Sequence, residues 1–283
     1  MTDIQSLLNK QDFIELSARE RAKALLDEGT FRELLDPFER VMSPWLVQQN
    51  IVPQADDGVV IAKGSIQKHP VVLISIEGLF QGGSLGEVGG AKIAGALELA
   101  VEDNLKGIPT AAILLLETGG VRLQEANLGL AAIAEIQAAI VNLRQYQPVI
   151  AVVAGSVGCF GGMSIAAGLC SYIVMTQEGR LGLNGPQVIE QEAGVQEYNA
   201  KDRPFIWSIT GGNQRFISGL VDAYVDDDRQ KIRLQVIDYL TQGVPHQHRS
   251  SNYTFYFEKL QQVDTAEQIT PAQVQALYQG EQA

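Results

Sequence analysis

The stretch Val149–Met175, VIAVVAGSVGCFGGMSIAAGLCSYIVM, decides the fold of this chain. An apolar β-branched run leads through a glycine-rich turn into a run of small residues, and a second β-branched run follows. This order predicts a buried strand, a turn, a helix and a second buried strand. The wider segment Gln145–Gln177 has no formal charge, which raises the question of a membrane span. Its glycines and β-branched ends favour buried parallel strands instead.

An earlier segment repeats this design. The apolar run that begins at Ala111 ends in Gly119-Gly120, and residues at helical spacing follow it. The apolar positions of that predicted helix are Leu123, Ala126, Leu130, Ile133, Ile136, Ile140 and Leu143. Gly161-Gly162 occupies the corresponding turn of the later segment. Glycine turns free backbone N–H groups and let another molecule approach the main chain. Close packing of strand and helix explains either turn alone, but two such turns favour an oxyanion hole made of main-chain amides.

The sequence predicts three regions. Residues 1–55 form an N-terminal helical segment, and Pro53–Gly58 is the best linker candidate after it. Residues 56–245 form the α/β core. Residues 246–283 form a polar tail with several aromatic residues, which we expect to be a docking segment.

Local patterns add further elements. Ser17 and Glu20 predict a capping box for a helix that stops at Gly29, and Phe31–Val41 predicts a second short helix. Val59–Ile66 and Val71–Gly78 predict a hairpin, and Ala91–Leu105 predicts a helix. A short strand and turn are predicted at Gly179–Gly185, followed by a short helix from near Pro186 and a loop at Val195–Pro204. The last predicted elements are a helix that Gly219 stops, a short strand after it, and a helix that starts at Asp226–Asp228.

The composition excludes several classes of protein. Hydrophobic residues make up 46% of the 283 residues, which is typical of a compact protein and not of a disordered chain. A net charge of −12 argues against nucleic acid or an anionic membrane as the main partner. The two cysteines, Cys159 and Cys170, lie in apolar sequence and are interpreted as packed thiols. The N-terminus has no signal-peptide core, so we expect a cytoplasmic protein.

Common catalytic motifs are weak or absent. His69, His246 and His248 lie in a predicted turn and in the tail, where solvated histidines are favoured over a metal site, so no metal is expected. Ala154–Gly158 nearly matches a nucleophile elbow, but its first position is Ala and only the tail offers a downstream histidine. Phe80–Gly90 has the wrong glycine spacing for a dinucleotide fingerprint. Close helix–sheet packing explains this loop as well as ligand contact does.

At these residues the chain resembles the carboxyltransferase branch of the crotonase superfamily. The matching motifs, in order and spacing, are SARERAKALLDEGTFREL from Ser17, FQGGSLGEVGGAKIAGALELA from Phe80, ETGGVRLQEANLGLAAIAEI from Glu117 and VIAVVAGSVGCFGGMSIAAG from Val149. The resemblance covers about Ser17 to Asp228. Within the branch, the compact length, the missing four-cysteine zinc ribbon and the segment Met42–Val60 resemble the β subunits of biotin-independent malonate decarboxylases.

The resemblance implies a crotonase/ClpP-like α/β fold, in which repeated ββα units form two roughly perpendicular sheets with surrounding helices. It implies decarboxylation of a malonyl thioester on an acyl carrier protein to an acetyl thioester and CO₂, through an enolate. The chain would bind no cofactor directly, because the carrier bears a phosphoribosyl-dephospho-coenzyme A arm. A γ subunit would complete the active site, which predicts a hetero-oligomer. A carboxyltransferase subunit that passes the carboxyl group to biotin, and a non-catalytic structural subunit, are the alternatives.

The family's site residues transfer by position. The thioester oxyanion hole falls on the N–H groups of Val121 and Gly161, with Gly120 and Gly162 shaping the turns; whether Gly161 or Gly162 donates is open. The predicted substrate-binding residues are Gly82, Gly83, Ser84, Gly119 and Arg122. The candidates for binding the ligand's phosphates are Arg122, Lys201 and Arg203. Ion pairs at the surface or with another subunit are the alternative role for these three cations. Glu117, Gln124 and Glu190 lie near the turns, where salt bridges or caps explain them as well as proton donation does.

Overall fold

The structure is a computed structural model that describes residues 11–264 and 269–278. Residues 1–10, at the start of the predicted helical segment, lie outside the described residues. So do residues 265–268 and 279–283 of the predicted tail.

A seven-stranded sheet in sequence order β1 to β7 forms the centre of the described residues. The strands are β1 Arg32–Leu34, β2 Val59–Ile66, β3 His69–Ile76, β4 Ala111–Leu115, β5 Val149–Val153, β6 Tyr172–Thr176 and β7 Ala223–Val225. Strands β1, β2 and β3 pair antiparallel, and all pairs from β3 to β7 are parallel. The carboxyl ends of five parallel strands therefore meet at one edge of the sheet.

Helices cover both faces of this sheet. They are α1 Ala18–Leu25, α2 Pro44–Gln48, α3 Glu87–Leu105, α4 Asn127–Leu143, α5 Gly162–Leu169, α6 Pro186–Ala193, α7 Arg203–Thr210, α8 Gly212–Ile217, α9 Arg229–Gln242, α10 Tyr253–Leu260 and α11 Pro271–Tyr278. Residues of β5 alternate between two apolar clusters, one shared with α3, α4 and α5 and the other with α1 and α9. Burial on both faces explains why the strands are continuous apolar runs.

The second sheet of the expected fold is present as single bridges. Leu85 pairs with Val121, Thr118 with Cys159, and Cys159 with Leu181, all in parallel. The bridge residues follow the ends of β3, β4, β5 and β6, and the helices α3, α4, α5 and α6 come after them. The predicted α/β fold of repeated ββα units is thus confirmed, with short bridges in place of long second strands.

Several local predictions are confirmed. The capping box of Ser17 and Glu20 starts α1, and β2 and β3 form the predicted hairpin. The helix α6 starts at Pro186, and Asp228 caps α9. Cys159 and Cys170 are free, buried thiols, and burial raises the pKa of Cys170 to about 12.

Other local predictions are wrong. The segment predicted as a helix at Phe31–Val41 instead forms β1, because its backbone pairs antiparallel with β2. The first helix ends at Leu25 rather than at Gly29, since Leu26 is extended. At Gly179–Gly185 the predicted short strand is reduced to isolated bridges.

The predicted helix at Leu123 begins later. Residues 123–125 form a single 3₁₀ turn, Ala126 has a φ of 51°, and α4 starts at Asn127. Leu123 is 84% exposed and Leu130 is 55% exposed, so these two positions do not belong to the core.

Within residues 11–264 and 269–278, no helix is long and apolar enough to cross a membrane. The same residues contain no group of three or more His, Cys, Asp or Glu that could hold a metal ion.

Candidate active site

The two glycine turns lie against each other at the carboxyl edge of the sheet. The Thr118 amide donates to the Gly158 carbonyl at 2.7 Å, which fixes the register of the two segments. A Cβ on Gly161 would lie 2.9 Å from the Gly120 Cα and 3.7 Å from the Val121 nitrogen. The two turns are therefore in close contact.

Only glycine fits at this contact. Gly120 has a φ of 118° and Gly161 has a φ of 62°, both in the region that favours glycine. The first side-chain atom of any other residue at Gly161 would also overlap the Gly120 Cα. Glycine at these two positions therefore lets the two main chains approach each other closely.

The Val121 amide is one of the unused donors. The Gly120 carbonyl accepts from the Leu85 amide at 2.9 Å, and the Arg122 amide donates to the Leu85 carbonyl at 2.8 Å. The alternation of a strand directs the intervening Val121 N–H away from Leu85. Among the described residues this N–H has no hydrogen-bond acceptor.

The sequence left open whether Gly161 or Gly162 donates, and the hydrogen bonds of the second turn differ between these two amides. The Gly161 amide donates to the Leu183 carbonyl at 2.7 Å and is therefore occupied. Gly162 is the first residue of α5, where a helix leaves its N–H without an internal partner. No described residue accepts from the Gly162 amide. This geometry favours Gly162 as the second donor.

The loop at residues 82–84 supports the first turn. The Gly119 amide donates to the Gly82 carbonyl at 2.9 Å, and the Ser84 carbonyl accepts from the Arg122 side chain at 2.9 Å. A Cβ on Gly83 would lie 1.9 Å from the Glu117 carbonyl oxygen, so this glycine serves close packing. Gly82 is exposed with open space around its Cα, which leaves it accessible to a ligand.

Arg122 is fully buried rather than open to a ligand's phosphates. Its Nη1 lies 2.7 Å from the Asp57 Oδ1 and 2.9 Å from the Glu125 Oε1. Burial raises the pKa of Asp57. Burial also opposes ionisation of Glu125, but hydrogen bonds from Ser43, the Glu87 amide and Arg122 together hold its pKa below the ordinary value. Arg122 thus anchors the chain that follows Val121.

Two of the three possible proton donors, Glu117 and Glu190, have structural partners for their carboxylates. Glu117 forms a buried ion pair with Arg21 and accepts from the Val157 amide at 3.2 Å. The Glu190 carboxylate accepts from the Ala200 amide at 2.7 Å. The backbone carbonyl of Gln124 accepts from the Gln49 side chain at 2.6 Å.

Arg180 is a candidate residue that the sequence analysis missed. Its Nη2 donates to the Ser156 carbonyl at 2.7 Å, just before the second turn, and its guanidinium lies over the rings of Phe160 and Trp207. The only signal in the sequence is a lone arginine between two glycines, in GRLG at Gly179–Gly182.

Comparison with models of known protein families identifies the family of this chain. The model described as the carboxyl transferase domain matches residues 15–281. The chain belongs to the carboxyl transferase family.

Several relatives of this carboxyl transferase chain are named for malonyl or malonate substrates. It is 44% identical over 222 residues to the malonyl-S-ACP:biotin-protein carboxyltransferase MADC of Malonomonas rubra, a match that covers 75% of this chain and 70% of the relative. It is 67% identical to a chain in the crystal structure of a Pseudomonas malonate decarboxylase hetero-tetramer in complex with malonate, with a TM-score of 0.95 and coverage of 98% and 100%. A Pseudomonas MdcD-MdcE hetero-dimer contains a chain 58% identical, with a TM-score of 0.76 and coverage of 90% and 98%. The expected resemblance to malonate decarboxylase subunits is confirmed.

Proposed function

We propose that this chain is a subunit of a malonate decarboxylase complex that converts a malonyl thioester on an acyl carrier protein into an acetyl thioester and CO₂. The main support is the pair of unused amides, Val121 and Gly162, on turns that lie against each other. Similarity over nearly the whole chain to a malonate decarboxylase hetero-tetramer supports the same reaction.

The chemistry follows from where negative charge develops. The C–C bond to the malonyl carboxylate breaks, CO₂ leaves, and the electron pair moves toward the thioester carbonyl. Its oxygen becomes an enolate oxyanion held by the Val121 and Gly162 amides, and a proton then adds to the α-carbon. One well-aimed donor contributes about 2.7–4 kcal/mol to such a transition state. Burial of the malonyl carboxylate in an apolar pocket would favour its loss as neutral CO₂.

A partner subunit is part of this proposal. Large apolar side chains surround the turns and stay exposed in the isolated chain, among them Leu123, Leu130, Ile165 and Leu183. Apolar surface of this kind marks contacts with other proteins. We propose that a γ subunit covers this face and that residues 246–283 also dock in the complex. The acyl group would arrive on the phosphoribosyl-dephospho-coenzyme A arm of the carrier, with no cofactor bound by this chain directly.

The second candidate is transfer of the carboxyl group to biotin, which the name of the Malonomonas relative favours. Both reactions pass through the same enolate, so the two amides serve either one. We expect the purified complex to release CO₂ from malonyl thioester at the same rate with and without excess avidin. The same complex treated with biotin-saturated avidin is the control. Inhibition by avidin, but not by biotin-saturated avidin, would contradict direct decarboxylation and support transfer to biotin.

A further inference from the structure

A cluster of cations and aromatic rings adjoins the second glycine turn. We call Arg180, Tyr198, Arg203, Trp207 and Arg215 the arginine–aromatic cluster. The Arg180 and Arg203 guanidiniums lie 4.5 Å and 5.3 Å from the centre of the Trp207 ring. The Arg180 carbonyl also accepts from the amide of Cys159, so the cluster is fixed to the turn that holds Gly162.

The arginines of this cluster have no counter-ion among the described residues. Their described hydrogen bonds go to carbonyl groups: Arg180 donates to Ser156 and Val157, and Arg215 donates to Leu181. Five of the other arginines in the described residues have carboxylate partners: Arg19, Arg21, Arg122, Arg233 and Arg249. Burial lowers the pKa of Arg180 and of Arg215, because it withdraws each guanidinium from water. A poorly solvated cation is costly until an anion joins it.

Two buried polar atoms of the cluster also have no partner. Tyr198 is only 8% exposed, and its hydroxyl forms no hydrogen bond within the described residues. The Arg180 Nε is equally buried and unpartnered. Burial raises the pKa of Tyr198, and the positive charges of Arg180 and Arg215 oppose that rise. A hydroxyl donor beside guanidinium forks suits a ligand with several oxygen atoms.

We propose that the arginine–aromatic cluster binds an oxyanion of the acyl-carrier substrate, either a phosphate of the carrier arm or the malonyl carboxylate. This inference deepens the proposed function and rests on it for the identity of the substrate. The two sources differ in consequence. A cation paired with the departing carboxylate stabilises the ground state and opposes release of CO₂, whereas a phosphate is unchanged by the reaction. Phosphate binding therefore fits the proposed chemistry better.

The test is designed to be independent of turnover. This chain alone is labelled with 5-fluorotryptophan and assembled into the complex, so that its two tryptophans, Trp45 and Trp207, give separate ¹⁹F signals. Inorganic pyrophosphate and malonate are titrated in separate arms. We expect a saturable shift of the Trp207 signal and none of the Trp45 signal, with pyrophosphate binding more tightly. Tighter binding of malonate would identify the carboxylate as the ligand at the same site.

Two variants report on the cluster. Tyr198→Phe removes a hydroxyl that has no partner among the described residues, so the fold should be unaffected, while binding should weaken about 10-fold. Arg203→Gln removes an exposed cation, and its effect should diminish at high salt. Tyr146→Phe, before β5 at the opposite edge of the sheet, is the matched control and should bind normally.

Two results would overturn the anion site. One is a Trp207 signal that responds to neither anion in the assembled complex, as a partner-subunit carboxylate in the cluster would produce. The other is unchanged binding by Tyr198→Phe. Either result leaves decarboxylation by the two amides standing. A complex that binds pyrophosphate but releases no CO₂ from malonyl thioester would contradict the proposed function and not the anion site.

Discussion

Replacing Gly162 by proline is expected to lower kcat for CO₂ release by about 100- to 1,000-fold relative to Gly162→Ala, because proline lacks the amide hydrogen. Proline suits the first residue of a helix, which is the position of Gly162 in α5. A Cβ at this position lies 2.7 Å from the Ile133 side chain in either variant. Alanine therefore reproduces the steric change and keeps the donor, and steady-state kinetics of the complex measures the difference.

A second pair of variants tests the other turn. Val121→Pro should lower kcat by a similar factor relative to Val121→Ala, provided that circular dichroism and complex assembly match between the two. If both proline variants assembled normally and kept the kcat of their alanine controls, the chain would be a non-catalytic structural subunit.

Replacing Arg122 by methionine is expected to destabilise the protein by about 3–5 kcal/mol, since it leaves buried carboxylates without their cation. Asp57 and Glu125 have no exposed side-chain surface, so water cannot take the place of Arg122. Lys106→Met is the control, because Lys106 pairs with Glu102 on the surface and should contribute no more than about 1 kcal/mol. Denaturant unfolding monitored by circular dichroism gives both values.

The pH dependence of the Arg122→Met variant checks the cause. Burial raises the pKa of Asp57, and losing the Arg122 cation removes the main opposing interactions, so this pKa rises further above its unfolded value. The cost of the substitution is then present above the folded pKa of Asp57 and is relieved as the pH falls and this carboxyl takes up a proton. The difference in unfolding free energy from the wild type should therefore shrink between pH 8 and pH 5. A difference that stays constant or grows would show that the loss comes from packing and not from charge.

The sequence predicted the parts of the fold that depend on local pattern. Continuous apolar runs identified β4 and β5, and the glycine pairs after them identified the two turns. It failed at β1, because a strand of three residues depends on pairing with β2 and has no periodicity of its own. Only the hydrogen bond to the Leu183 carbonyl, 22 positions along the chain, shows that the Gly161 amide is occupied.

The charged residues near the site were the least predictable. Arg122 is 65 positions from Asp57 in the chain, and Arg21 is 96 positions from Glu117. Ion pairs between residues so far apart in the chain leave no recognisable sequence pattern. The sequence could therefore identify Arg122 and Glu117 as candidates but could not identify their ion-pair partners. That no carboxylate in the described part of the chain pairs with Arg180 or Arg215 becomes evident only when the spatial neighbours of each arginine are known.

The most direct test of the account is a crystal structure of the assembled complex with an unreactive malonyl-thioester analogue bound. We predict that the thioester oxygen lies about 2.7–3.1 Å from both the Val121 and the Gly162 nitrogens. If the analogue binds in its productive pose but its thioester oxygen lies beyond hydrogen-bonding distance of one or both nitrogens, the proposed oxyanion hole is contradicted.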